Sequence, residues 1–138
     1  MRSLLLLAVV LSLFTAACGK ATKPTQDSKT ATEAFGVLES IKEAYLKKEY
    51  SSIEKNCTRE GFRTIKSSIK AFDSAELSFA PTLVEIDGNK VMVHSSWKGR
   101  WLRGTKKTEE RGVAVFVMSG RPLKVDNILR TSPFKYPE

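Results

Sequence analysis

His94 is the only histidine in this chain of 138 residues, and imidazole is the side chain whose ordinary pKa suits proton transfer near neutrality. Acid–base chemistry would therefore centre on His94 and a carboxylate within hydrogen-bond reach. The surrounding pattern argues against it. Along residues 90–103 a period of two groups His94 with Met92, Ser96, Lys98 and Arg100, and sets Val91, Val93, Trp97 and Trp101 on the opposite face. The second face is the more apolar and is assigned to the core, so His94 is expected to point away from it. Asp126 is out of parity with Leu123, Val125 and Leu129, which predicts a solvent-facing or cross-strand paired carboxylate. Asp73 falls where a helix ends, a structural turn position. Glu109 and Glu110 surround a hairpin with Lys106, Lys107 and Arg111, which reads as charge pairing on a solvated edge. One histidine and one unmodified cysteine cannot build an ordinary zinc site. No glycine-rich phosphate loop or nucleophile elbow appears. The expectation is a domain with no catalytic set, no metal and no cofactor.

The stretch "SSWKGRWLRGTKK" at positions 95–107 holds both tryptophans among five basic residues, as a nucleic-acid platform would. Parity separates them: Trp97, Gly99 and Trp101 share one face, Lys98 and Arg100 the other. Only a bulge at Gly99 would turn Trp101 outward beside the charges. The stretch is therefore read as a core strand with a basic outer face, and nucleic acid is not an expected partner.

The amino terminus bears on location. Arg2 is followed by Leu4–Ala17, an uncharged run of 14 residues, whereas a helix crossing a bilayer needs about 20. The run has the length and flanks of a secretory signal core. Thr15, Ala16 and Ala17 lead into Cys18, and here the chain resembles the lipobox of bacterial lipoproteins. The resemblance implies a diacylglycerol on the Cys18 sulfur, cleavage before Cys18 and acylation of the new amino terminus. Two or three acyl chains hold a protein on a membrane stably. Gly19, in place of an Asp that would favour the inner membrane, implies the outer membrane, facing the periplasm. Ordinary cleavage after Ala17 is the alternative, since Thr15 and Ala17 also suit a small-x-small signal. Cys57 is then without a partner and is read as a small buried apolar residue.

Loss of Arg2 with the leader leaves 22 Lys and Arg against 15 Asp and Glu, a net charge of +7. Such a surface suits anionic neighbours: a glycan, lipid headgroups or an acidic envelope protein. Residues 18–31 after the cleavage point read as the lipidated Cys and a solvated tether, whose 13 residues "GKATKPTQDSKTA" carry no large apolar side chain.

From Thr30 the pattern is periodic. Thr30 and Glu33 are spaced as a capping box, and Ala34, Val37, Leu38, Ile41, Tyr45 and Leu46 recur at helical spacing. Tyr50, Ile53 and Cys57 suit a two-turn helix. Thr58 caps a third, with Phe62, Ile65, Ile69 and Phe72 on one stripe, although Gly61 weakens its first turn. Beyond Asp73 the period becomes two. Short strands are expected at 77–79 and 83–86, then a hairpin at Asp87-Gly88-Asn89 and a long strand from Lys90 to Arg103. After a turn at 104–108, further strands follow at 109–118 and 123–130.

Three helices before an antiparallel meander make an α+β domain over residues 32–134, with helices laid on one face of a curved sheet and 135–138 as a tail. In "AYLKKEYSSIEKNCTREGF" and "PLKVDNILRTSPF" the chain resembles the nuclear transport factor 2-like superfamily, the cone-shaped fold also found in ketosteroid isomerases and dehydratases. Cystatin-like and other helix-on-sheet folds share the element order. In the resembled enzymes an Asp, often with a His, lies inside the cone, a place His94 does not take by parity. Phe35, Tyr45, Phe62, Trp97, Trp101 and Phe116 are the candidates to line the hollow, either as plain core or as walls of a partly open pocket. Lys98, Arg100, Lys124 and Arg130 are the candidates for a basic docking face. A membrane-anchored, non-catalytic binding domain is the leading expectation, and a small-molecule isomerase, dehydratase or hydrolase using the cone is the rival.

Overall fold

The computed structural model describes Gly19 and residues 22–138. The apolar leader and Cys18 lie outside the described residues. Helix α1 runs Gln26–Lys47. Thr25 caps it, its side-chain oxygen accepting from the Ser28 amide at 3.1 Å. Asp27 in the first turn and Lys47 in the last complement the helix dipole. The start therefore precedes the expected Thr30 cap, and the stretch from Gln26 to Ala31 is helix instead of tether. Glu33 closes no capping box. Its carboxylate instead accepts the Leu123 amide at 2.7 Å, fastening the helix to the sheet. Ala34, Leu38, Ile41, Ala44 and Tyr45 form its buried stripe, and Lys48, in the left-handed conformation, ends it.

Helix α2 is the single short element Tyr50–Lys55. Helix α3 spans Arg59–Ser68, with Thr58 accepting from the Gly61 amide at 3.1 Å. Gly61 makes a close approach possible: a β-carbon there would lie 2.1 Å from the Val125 carbonyl oxygen. The residue that weakens the helix by propensity lets it sit directly on the sheet.

Four strands, β1 Ser74–Asp87, β2 Lys90–Arg103, β3 Lys106–Ser119 and β4 Lys124–Arg130, form one antiparallel meander in sequence order. The two segments expected at 77–79 and 83–86 are one strand, β1, interrupted by an irregularity between Pro81 and Leu83. Proline donates no amide hydrogen, so the ladder shifts there and continues. β3 begins three residues before the expected Glu109, because Gly104 and Thr105 alone make the turn, Gly104 at positive φ. The link between α2 and α3 bonds to β4, the Thr58 amide to the Val125 carbonyl and the Val125 amide to the Asn56 carbonyl, both at 2.9 Å. These bonds hold the short helices over the inner face, where Val91, Val93, Trp97, Trp101, Phe116, Met118 and Val125 are buried.

Candidate functional site

The hollow between helices and sheet is the natural place for a site in this architecture, and its contents follow from two glycines. Gly99 and Gly112 share the inner face with the tryptophans. A β-carbon on Gly99 would stand 2.1 Å from the Trp101 ring, and one on Gly112 would stand 2.8 Å from the Trp97 ring. Absence of side chains lets both indoles lie flat against the strands. The ladder runs through Gly99 without a bulge, so Trp101 stays inside, away from Lys98 and Arg100.

Each indole N–H finds an oxygen. Trp101 Nε1 donates to the Tyr45 hydroxyl at 2.8 Å, and that hydroxyl donates to the Tyr136 carbonyl at 3.1 Å. Trp97 Nε1 donates to the Thr131 carbonyl at 2.8 Å. Burial pushes the Tyr45 hydroxyl up to about 12, an effect partly offset by the Trp101 hydrogen bond. The acceptors on the far side belong to the carboxy-terminal segment, which turns back into the mouth of the cone as a short 3-10 helix at Pro133–Lys135. Phe134 is fully buried, 5.0 Å from the Tyr45 ring in an edge contact. Tyr136 lies 5.5 Å from both Trp97 and Trp101. Phe79 packs edge-on against Phe116 at 5.4 Å. Among the described residues no buried side-chain nitrogen or oxygen lacks a partner. The interior is packed core.

Of the six candidates for the hollow, Tyr45, Trp97, Trp101 and Phe116 are brought together there and Phe62 packs at its margin. Phe35 does not join them. It is 37% exposed, because one residue along a helix turns the side chain about 100° from the Ala34–Leu38 stripe. Residues not foreseen are Phe134 and Tyr136, assigned to the end of the domain and its tail. The signal for them is "PFKYP", two aromatics between prolines where a solvated terminus would be polar.

The polar candidates lie elsewhere. His94 is on the outer sheet face, its Nε2 2.6 Å from Glu85 Oε2. Asp126 accepts the Thr58 hydroxyl at 2.8 Å, bracing the α3 cap. Asp73 accepts the Gly104 amide at 2.6 Å and ties the β2–β3 hairpin to the end of the helical layer. Glu109 pairs across to Arg100 at 3.4 Å in place of the hairpin lysines. Cys57 is buried, and burial pushes its thiol up to about 12. Among the described residues no group of three or more His, Cys, Asp or Glu side chains could hold a metal, and no helix is long and apolar enough to cross a membrane.

The four basic candidates do not converge. Lys98 and Arg100 share the outer face, but Arg100 stands between Glu76 and Glu109, each at 3.4 Å. Lys124 and Arg130 sit at opposite ends of β4, about 20 Å apart at the usual strand rise. On the outer face an open depression of about 410 Å³ crosses β1, β2 and β3 between Ala80 and Val113, with Lys98 and Arg111 at its side.

No family model matches the chain, and no curated protein matches it. Among solved structures, the chain is similar to a nuclear transport factor 2-like superfamily protein from Salmonella enterica serovar Typhimurium strain LT2. The TM-score is 0.69 at 13% identity, over 81% of this chain and 96% of that one. The fold is the nuclear transport factor 2-like cone. Binding proteins and isomerases both use it, so the contents of this particular cone carry the functional argument.

Proposed function

We propose that the chain is a membrane-anchored lipoprotein of the bacterial envelope whose cone-shaped domain binds a ligand or partner and performs no catalysis. The observation that carries the non-catalytic reading is the filled interior. Trp97 and Tyr45 are hydrogen-bonded to the carboxy-terminal segment, Trp101 is hydrogen-bonded to Tyr45, and Phe134 and Tyr136 pack against these rings. His94 and Asp126 are committed to Glu85 and Thr58 outside that space. Recognition then falls to the surface, where the cationic excess favours an anionic glycan, lipid or envelope protein. The anchor rests on the residues leading into Cys18, and Gly19 supports the outer membrane facing the periplasm.

Acrylamide quenching of the two tryptophans tests the filled cone. Both indoles are nearly inaccessible, so quenching should be far weaker than for free indole, and strong quenching would return the enzymatic reading. For the anchor, Cys18→Ser should move the protein from the membrane to the soluble fraction, and mass spectrometry of the mature terminus should find acyl chains. An unmodified Cys18 would refute the anchor. Affinity capture from envelope extract should retain an anionic component that salt releases.

A further inference from the structure

The cap at Thr25 shortens the chain available as a tether. Only residues 19–24 stand between Cys18 and Thr25, and seven Cα steps span at most about 25 Å in any conformation. Whatever surface holds Cys18 therefore lies close to the end of the domain where α1 begins.

Two strand turns share that end. Gln26 and Thr30 of α1 line a cleft of about 130 Å³ together with Asn89 of the β1–β2 turn and Arg121 of the β3–β4 turn. Glu33 fastens the same part of the helix to the Leu123 amide. The outermost row of the sheet there is Asp87, Lys90, Ser119 and Lys124. Lys23, Lys29, Lys90, Arg121 and Lys124 thus gather at this end, against the carboxylates of Asp27, Glu33 and Asp87. Among the described residues none of these five cations has a carboxylate within ion-pair distance. Lys124 is half-buried and the other four are exposed. Ile86, beside the first turn, is 37% exposed.

We infer that this end docks on anionic phospholipid headgroups of the membrane that holds the anchor, so that the sheet stands upright on its Asn89 and Arg121 turns. The inference rests on the acylated Cys18 of the proposed function. Charge alone does not choose this end, because Arg103, Lys106 and Lys107 make the β2–β3 hairpin at the opposite end cationic too. Reach chooses it. β2 runs 14 residues from Lys90 to Arg103, about 40 Å at the usual rise. An inverted domain would hold the start of α1 that far from the bilayer, beyond the span of the tether. A domain lying flat would press Glu39 and Glu43 of α1, or Glu76 and Glu85 of the outer sheet face, against anionic lipid, which like charge disfavours. In the upright posture each Lys or Arg near an anionic leaflet favours docking about fivefold, and Ile86 adds apolar contact at the headgroup boundary. The β2–β3 hairpin is then carried about 40 Å above the bilayer, its lysines open to the compartment.

Energy transfer in the full-length acylated chain, reconstituted in vesicles, tests this. A donor dye is attached at Asn89→Cys or, separately, at Thr105→Cys in the far turn, and lipid headgroups carry the acceptor. Cys57 is buried and an acylated Cys18 offers no thiol, so the dye reports one place. On phosphatidylglycerol vesicles transfer should be strong from position 89 and weak from position 105. Pure phosphatidylcholine, or 1 M salt, which cuts the screening length to about 3 Å, should lower the docked population at least tenfold and narrow the gap between the two signals. Lys90→Glu with Arg121→Glu should do the same, while Arg103→Glu with Lys107→Glu should leave the gap as it was. Equal transfer from both positions on anionic vesicles, stronger transfer from position 105, or a gap unchanged by neutral lipid, salt and the reversals at Lys90 and Arg121 would overturn the inference. Flotation with the vesicles separates it from the reading beneath it. A chain that floats yet shows no gap overturns the docking alone, and a chain that does not float and carries an unmodified Cys18 overturns the anchor as well.

Discussion

Replacing Tyr45 by Phe deletes one oxygen and two hydrogen bonds at the centre of the cone. The first loss leaves the Trp101 indole N–H, in a residue 1% exposed, without an acceptor. An orphaned buried donor costs about 1–3 kcal/mol. The second loss frees the Tyr136 carbonyl, in a half-buried residue that water can reach, and adds about 0.5 kcal/mol. Against this, Phe no longer buries a hydroxyl, a gain that offsets part of the loss. The net expectation is about 2 kcal/mol of destabilisation, which lowers Tm by about 6–12 °C for a domain of this size. Urea unfolding should show it as a lower midpoint with unchanged m-value. Two controls sharpen the test. The Tyr136 side-chain hydroxyl reaches only the exposed Lys135 ammonium, so Tyr136→Phe should stay within about 0.5 kcal/mol of the wild type, and so should Tyr50→Phe at an exposed position. If Tyr45→Phe also stayed within about 0.5 kcal/mol, the hydroxyl would not join helix, sheet and carboxy-terminal segment, and the account of the filled cone would fail.

Alkaline pH should destabilise the fold through the two groups that burial raises. Cys57 goes from 9.0 to about 12 and Tyr45 from 10.0 to about 12. A raised pKa contributes stability that is complete below the unfolded value and is lost as pH climbs toward the folded one. The thiol should therefore remove roughly 2–4 kcal/mol between pH 9 and 12, and in Cys57→Ala the loss should begin nearer pH 10. An unshifted onset in pH-dependent urea melts would contradict this. Gly61→Ala should destabilise by about 1–3 kcal/mol despite its better helix propensity, because the new methyl meets the Val125 carbonyl at 2.1 Å. A neutral or stabilising result in thermal melts would show that α3 can move away. Thr58→Ala should cost about 1 kcal/mol through loss of the α3 cap. Asp126→Asn, which keeps an acceptor for Thr58, should cost less in the same urea melts.

Much of the fold was legible in the chain because it is encoded locally. The parity of 90–103 assigned Trp97 and Trp101 to the inside and His94, Lys98 and Arg100 to the outside, and β2 has those faces and ends. The Asp87-Gly88-Asn89 turn and the Thr58 cap were readable for the same reason, since each depends on residues within a few positions. Element ends were less legible where one residue outweighed the pattern, as Thr25 did by capping α1 early and Pro81 did by bending β1 without ending it.

Determined by the sequence alone are the helix-then-meander order, the period-two split between aromatic and charged faces, the cationic excess and the residue pattern around Cys18. Decided only by the tertiary structure is which side chains meet inside the cone. Tyr45, Trp101 and Tyr136 lie 91 positions apart from first to last, and no local pattern records that the carboxy-terminal segment returns to pack on both indoles and to accept from Trp97 and Tyr45. Gly61 reads as a weak point until Val125 stands over it, and Lys98 faces Arg111 only through the strand register. Periodicity fixes which way a side chain points relative to its own element. What it meets there depends on the packing of elements distant in sequence.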